Sequence, residues 1–291
     1  MAYEDDRDQS SPFIPLRDVE ATDAALPAGW EAATEYHRLK RVLPSGPLRI
    51  RVREAAISAV LERALQCVRH AGRPTRLESA GWIEEPSGDL DLNGSLDAGI
   101  LLEPEDPSRL RVTVREPRRA SIVLILDMSL SMTGEKIALV AVAAAVLALK
   151  LTSEELAVVT FDSTATPLKR LGEKVSPREL VRRVLEVPAR GYTHLEGGLR
   201  EGLRLLRDSR VPQRAGVLMT DGIYNVGWDP APLAPLFPRL HVIQLGEEDA
   251  EKNDRGLCRR LASGGRGRYY RAEQYEDLPA MTYRLVQDLF R

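Results

Sequence analysis

The chain has 291 residues, enough for one large domain plus a smaller one, and its 43% hydrophobic and 29% charged residues place it among soluble globular proteins. A formal net charge of −2 supplies no global field for nucleic acid or anionic lipid, so neither is an expected partner. Two distant cysteines, Cys67 and Cys258, with no Cys-x-x-Cys between them exclude a disulfide framework and suit a reducing compartment, each reading as a buried small hydrophobe.

Residues 1–27 combine charge, serine and three prolines with few bulky apolar side chains, the composition of a disordered or loosely attached tail. The acidic start Met1-Ala-Tyr-Glu-Asp-Asp6 lacks the apolar core of a secretory signal, and a cytoplasmic protein is expected. Residues 28–118 form a smaller N-terminal α+β region. A short helix is predicted over 28–43 and a stronger one from Val52 to His70, with Ala56, Val60, Ala64, Cys67 and Val68 near one face and Gly72-Arg73-Pro74 as its stop. Pro86-Ser-Gly88 is a turn, and Arg111–Arg115 alternates like a strand. Asp89-Leu-Asp91-Leu-Asn93-Gly94 copies the opening of an EF-hand loop. The bidentate glutamate is missing, however, because Ile100 stands where it should, so the segment reads as an acidic turn.

Residues 119–291 alternate between strand and helix. Strands are predicted at 121–127, 156–161, 215–220, 240–245 and 267–271, with a short edge strand near 164–171. Helices are predicted at 134–151, 194–208, 253–263 and 276–290, with a shorter one near 230–236 in a segment broken by Pro230, Pro232, Pro235 and Pro238. Ser176-Pro177-Arg178-Glu179 reads as another helix start, with a capping box and proline at the first helical position. Ile137–Leu149 is too short and too Ala-rich to span a bilayer and reads as a buried core helix, so no membrane partner is expected. This spacing argues an α/β fold, a mostly parallel sheet covered by helices on both faces.

The apolar run Ile122–Leu126 stops at Asp127-Met-Ser129-Leu-Ser131, a carboxylate and two hydroxyls at the carboxyl end of a predicted parallel strand. Open α/β sheets place their sites there, and these hard oxygens suit a small divalent cation. Capping of the next helix fits the same five residues equally well. Two further oxygen-bearing loops follow. Gly191-Tyr-Thr193-His-Leu195 opens a helix with Leu195, Leu199, Leu203 and Leu206 on one face, and Ala215–Met219 ends in Thr220-Asp221-Gly222.

In order and context, Asp127, Ser129, Ser131, Thr193 and Asp221 resemble the metal-ion-dependent adhesion site (MIDAS) of von Willebrand factor A (vWA) domains, over roughly residues 119–290. The resemblance implies a Rossmann-like vWA fold, with Asp127, Ser129 and Ser131 holding magnesium (or manganese) and Thr193 and Asp221 binding directly or through water. It implies recognition rather than catalysis: an incomplete metal shell accepts an Asp or Glu from a partner protein, and partner binding can couple to movement of the last helix. Leu130 departs from the family, which usually has glycine between the two serines. His194 reads either as a partner contact or as a satisfied surface residue. Tyr224, Asn225 and Trp228 read either as interface anchors on the same rim or as packing beneath the proline-rich connection.

A cytoplasmic vWA domain behind a smaller N-terminal region is similar to the CoxE-like proteins and chelatase subunits that work beside MoxR-type AAA+ ATPases, which implies an adaptor or co-chaperone. A stand-alone scaffold without an ATPase is the alternative. A metal-dependent hydrolase is a third reading, against which stands the lack of a general base beside the ligands. An aspartyl phosphatase would need a carboxylate where Ser129 stands, and no P-loop, Gly-x-Ser-x-Gly or dinucleotide fingerprint is present. The glycine- and arginine-rich Gly264–Tyr270 reads as a turn into the last strand rather than an RNA contact.

Overall fold

The computed structural model describes residues 29–43, 46–68, 75–117, 119–151, 155–246 and 256–290. The tail expected over 1–27, the Gly72-Arg73-Pro74 helix stop and the first residues of the helix expected at 253–263 lie outside the described residues.

Six strands form the main sheet: β4 (Ser121–Asp127), β5 (Leu156–Phe161), β6 (Ala165–Lys169), β7 (Arg214–Thr220), β8 (Leu240–Leu245) and β9 (Arg266–Ala272), in the order β6-β5-β4-β7-β8-β9. Only the edge strand β6 runs antiparallel, through its pairing with β5. The chain leaves β4 toward β5 on one side and returns to β7 on the other. The strand order therefore reverses beside β4, the position at which open sheets hold their ligands.

Side chains of β4 alternate between two cores. Ile122, Leu124 and Leu126 join a cluster that contains α4 (Glu135–Lys150), whereas Val123 and Ile125 face a second cluster beneath α6 (Leu195–Arg207) and α7 (Leu257–Gly264). Helix α4 is buried from Ile137 to Leu147 because it lies between the sheet and a second helical layer. That layer is made of α1 (Gly29–Val42), α2 (Pro47–Val68), α5 (Pro177–Glu186) and α8 (Leu278–Leu289), all sharing one apolar cluster with it. Helix α1 is also tied to α5 by polar contacts. Buried Lys40 donates to the carbonyls of Leu185 (2.6 Å) and Val187 (2.9 Å) at the carboxyl end of α5, and Tyr36 donates to Glu186 Oε1 at 2.6 Å. Both free cysteines are buried, and burial raises the Cys67 thiol pKa.

Helix α6 approaches the sheet through two glycines. A Cβ at Gly198 would lie 2.6 Å from Phe161 Cδ1, and one at Gly202 would lie 2.5 Å from Ile125 Cδ1. Gly202→Val is therefore expected to lower stability by about 1–3 kcal/mol through overpacking. Urea unfolding at fixed pH measures this, and an unchanged midpoint would show that the helix can stand off at no cost.

Several boundaries differ from the expectations for physical reasons. Helix α2 starts five residues early, at Pro47, where proline fits the first turn. Ser176 caps α5 by accepting from Glu179 N at 3.2 Å, but the Glu179 carboxylate is taken by Arg182 and Arg183, so only half of the expected box forms. The proline-rich connection is a 3₁₀ segment, Ala231–Leu236, with Pro235 inside it. The last helix begins after a 3₁₀ turn, Tyr275–Asp277.

Residues 75–117 form a separate lobe, a three-stranded antiparallel sheet with β3 (Arg111–Pro117) between β1 (Thr75–Gly81) and β2 (Asp89–Leu90). The EF-hand-like segment becomes a short helix, α3 (Leu92–Asp97), whose N-cap Asp91 accepts from Gly94 N at 2.9 Å.

Candidate functional site

Strand β4 is buried along its whole length and delivers Asp127, fully buried, to the carboxyl edge of the sheet. Asp127 Oδ1 accepts from Ser129 N at 3.0 Å, which turns the chain back on itself, and Ser129 Oγ lies 3.1 Å from Ser131 Oγ. Met128 and Met132 are buried under this turn, with Met128 N donating to Phe161 O at 2.8 Å. Leu130 is exposed to solvent, so the departure from glycine leaves the turn intact. Helix α4 is capped at Gly134 without a side-chain hydrogen bond, which removes the capping role that Asp127, Ser129 and Ser131 could have filled.

Strand β7 brings the second carboxylate. Thr220 donates to Asp127 Oδ2 at 2.6 Å across the strand boundary and accepts from Gly222 N at 3.1 Å. Asp221, almost fully buried, accepts from Ile223 N at 3.3 Å through Oδ1 and from Lys136 Nζ at 3.0 Å through Oδ2. Burial pushes the Asp127 carboxyl up to about 7, and the nearby Asp221 charge adds to the rise against the hydrogen bonds from Thr220 and Ser129.

The loop between α5 and α6 brings buried Thr193 to the same edge. Thr193 N donates to Asn225 Oδ1 at 2.8 Å, and its carbonyl accepts from Asn225 N (3.2 Å) and Val226 N (3.3 Å). Arg190 N donates to Met128 O at 3.2 Å and His194 N to Asp162 O at 2.8 Å, fixing this loop to the turns after β4 and β5. The structure thus brings the three expected loops together. Asp127, Ser129 and Ser131 share one turn, Asp221 follows the Thr220 that bonds Asp127, and Thr193 is tied in through its backbone.

Three site residues escaped the sequence reading in these roles. Thr220 and Asn225 are positioning groups for Asp127 and Thr193. In the sequence Lys136 is only a charged residue flanking the apolar run Ile137–Leu149, yet its ammonium lies on Asp221. Its place in the first turn after the Asp127 loop was the available signal. On the rim, Tyr224 packs against the second core cluster, whereas Trp228 is 83% exposed. Trp228 N donates to Glu196 Oε2 at 2.8 Å, and Glu196 also accepts from Arg200 at 2.8 Å. The His194 ring lies 3.9 Å from the same carboxylate, as a rim residue supporting this loop.

Buried Asp127 and Asp221 together with the Ser129 and Ser131 hydroxyls on the same turn offer hard oxygens, and burial holds the Asp127 carboxyl well above its ordinary range. Both features fit a small divalent cation. Among the described residues no three His, Cys, Asp or Glu side chains are grouped as a separate metal cage, and no helix is long and apolar enough to cross a membrane.

The family model described as "VWA domain containing CoxE-like protein" matches residues 61–242. No curated protein matches the chain. Among solved structures, an aerotolerance-related membrane protein from Bacteroides fragilis is similar at 16% identity over 59% of this chain and 98% of that one, with a TM-score of 0.49. A von Willebrand factor type A protein from Catenulispora acidiphila is similar at 16% identity over 61% of this chain and 44% of that one, with a TM-score of 0.48. The mussel byssus proximal thread matrix protein 1, described with a zinc-occupied MIDAS motif, is similar at 19% identity over 59% of this chain and 48% of that one, with a TM-score of 0.47.

Proposed function

This chain belongs to the CoxE-like family of VWA-domain proteins, and from that membership we propose that it is a non-catalytic, metal-dependent protein-recognition module. Asp127, Ser129 and Ser131 would hold Mg2+ or Mn2+, with Thr193 and Asp221 completing the set directly or through water. The bound ion would supply an open position for an Asp or Glu of a partner protein. The observation that carries this reading is the wholly buried Asp127, raised toward neutrality and placed beside Asp221 and two hydroxyls at the sheet's switch point. A buried carboxylate so arranged is stabilised by a cation and destabilised without one. Exposed Tyr192 and Trp228 on the same rim supply aromatic contact area for a partner. We place the protein in the cytoplasm, as an adaptor beside a MoxR-type AAA+ ATPase. The buried free thiols of Cys67 and Cys258 support a reducing setting.

An affinity pull-down from host lysate tests this with wild type and Asp127→Ala, each in Mg2+ and in EDTA. The expected result is a partner retained only by wild type in Mg2+. An ATPase subunit in that lane supports the adaptor role, and another protein there favours the scaffold. Equal capture in all four lanes would sink metal-bridged recognition.

A further inference from the structure

The lobe formed by β1, β2, β3 and α3 is apolar on the outside. Leu77, Ile83, Leu90, Leu92, Leu101 and Leu102 are each more than half exposed, and Trp82 and Leu96 are exposed as well. Over residues 77–114 the only buried side chains are Ser95 and Val112. Among the described residues, β1, β2 and α3 pack against β3. A segment of this length that buries one valine gains little of the apolar burial that holds a domain together. The large side chains that would form its core are turned to solvent, the signature of a surface that is completed by another molecule.

Charge says what that molecule is. Residues 77–106 carry nine carboxylates and no Lys, Arg or His, although the whole chain has a net charge of only −2. Arg109 engages Glu103 at 2.8 Å and Asp106 at 3.4 Å, and Asp91 caps α3, while Glu84, Glu85, Asp89, Asp97 and Glu105 are exposed. The chain's own residues 1–27 are an unsuitable cover, since they hold seven carboxylates against two arginines. Lobe-to-lobe pairing of two copies would set like charges face to face.

We infer that the 77–106 lobe is a second docking surface, independent of the metal edge, for a protein segment that presents an apolar strip flanked by Lys or Arg. Burial of the leucines supplies the attraction, and the carboxylates select a cationic partner and reject an acidic one.

The test uses the full-length chain in EDTA, so that metal-bridged binding is silent and its failure cannot be confused with failure here. A fluorescent amphipathic Leu/Lys peptide is titrated against it, with a Leu/Glu peptide of the same pattern as control. The expected result is saturable binding of the Leu/Lys peptide alone, weakened by salt, with new protection of amides 77–106 from hydrogen exchange. The double changes Leu101→Ser/Leu102→Ser and Glu84→Lys/Glu85→Lys each weaken binding by about tenfold or more. They alter exposed side chains only, and circular dichroism checks that each is folded. Equal binding of both peptides, or none of either, overturns the proposal. So does a lobe already protected in the isolated chain, whether sedimentation shows a self-associated species or a monomer covered by its own residues 1–27.

Discussion

Mg2+ or Mn2+ is expected to stabilise the wild-type protein but not Asp127→Asn, and the substitution is expected to make the protein in EDTA more tolerant of high pH. The first effect follows from losing the central charged donor. A cation held at a hundredfold above its Kd contributes about 2.7 kcal/mol, which a thermal shift reads as several degrees in wild type and none in the variant. The second follows from burial. The Asp127 carboxyl stands at about 7 in the folded protein against 3.8 ordinarily. The folded state therefore binds more protons than the unfolded state between about pH 4 and pH 7, and metal-free stability falls as pH rises through that window. Ionisation above pH 7 costs the metal-free fold about 2–4 kcal/mol. The introduced amide has no such cost. Its oxygen can accept from Ser129 N and its NH2 can donate to the Thr220 hydroxyl, which both donates and accepts. Urea midpoints in EDTA from pH 4.5 to 8.5 should decline for wild type and stay flat for the variant. Parallel curves would mean that water reaches Asp127 and that it carries no strain for a metal to relieve.

The residues that could be read in advance share a property: their signal is local. An apolar run ending in Asp127-x-Ser-x-Ser and another ending in Thr220-Asp221-Gly222 need no tertiary information to be recognised as strand ends. The alternation around them implies a parallel sheet that gathers such ends along one edge. Thr193 was legible because its loop immediately precedes the leucine face of α6. Lys136 was not, because its contact with Asp221 spans 85 residues and exists only once α4 and β7 lie side by side. Gly198 and Gly202 carry no local signal of their role, since nothing in the sequence shows that Phe161 and Ile125 press on them. The 75–117 lobe was least legible. Beyond the alternation at Arg111–Arg115, its apolar residues follow neither the helical nor the strand period, and among the described residues most of them are exposed.

The contact between Lys136 and Asp221 carries the last prediction, that Lys136→Met tightens metal binding. The ammonium lies 3.0 Å from Asp221 Oδ2 and serves as an internal counter-ion, with the lysine side chain 31% and the aspartate 3% exposed. A divalent ion at Asp127, Ser129 and Ser131 meets both a competitor for that carboxylate and a like charge nearby. At a few ångströms from solvent such repulsion amounts to about 1–2 kcal/mol. Titration calorimetry should therefore show Kd for Mg2+ or Mn2+ falling about five- to tenfold in Lys136→Met and unchanged in Lys136→Arg, which keeps the charge. The same substitution leaves Asp221 without that counter-ion, so the metal-free protein should lose about 1–3 kcal/mol while the loaded one loses less. Weaker metal binding in Lys136→Met would reverse this assignment, making the lysine a support that aims Asp221 at the cation instead of a rival for it.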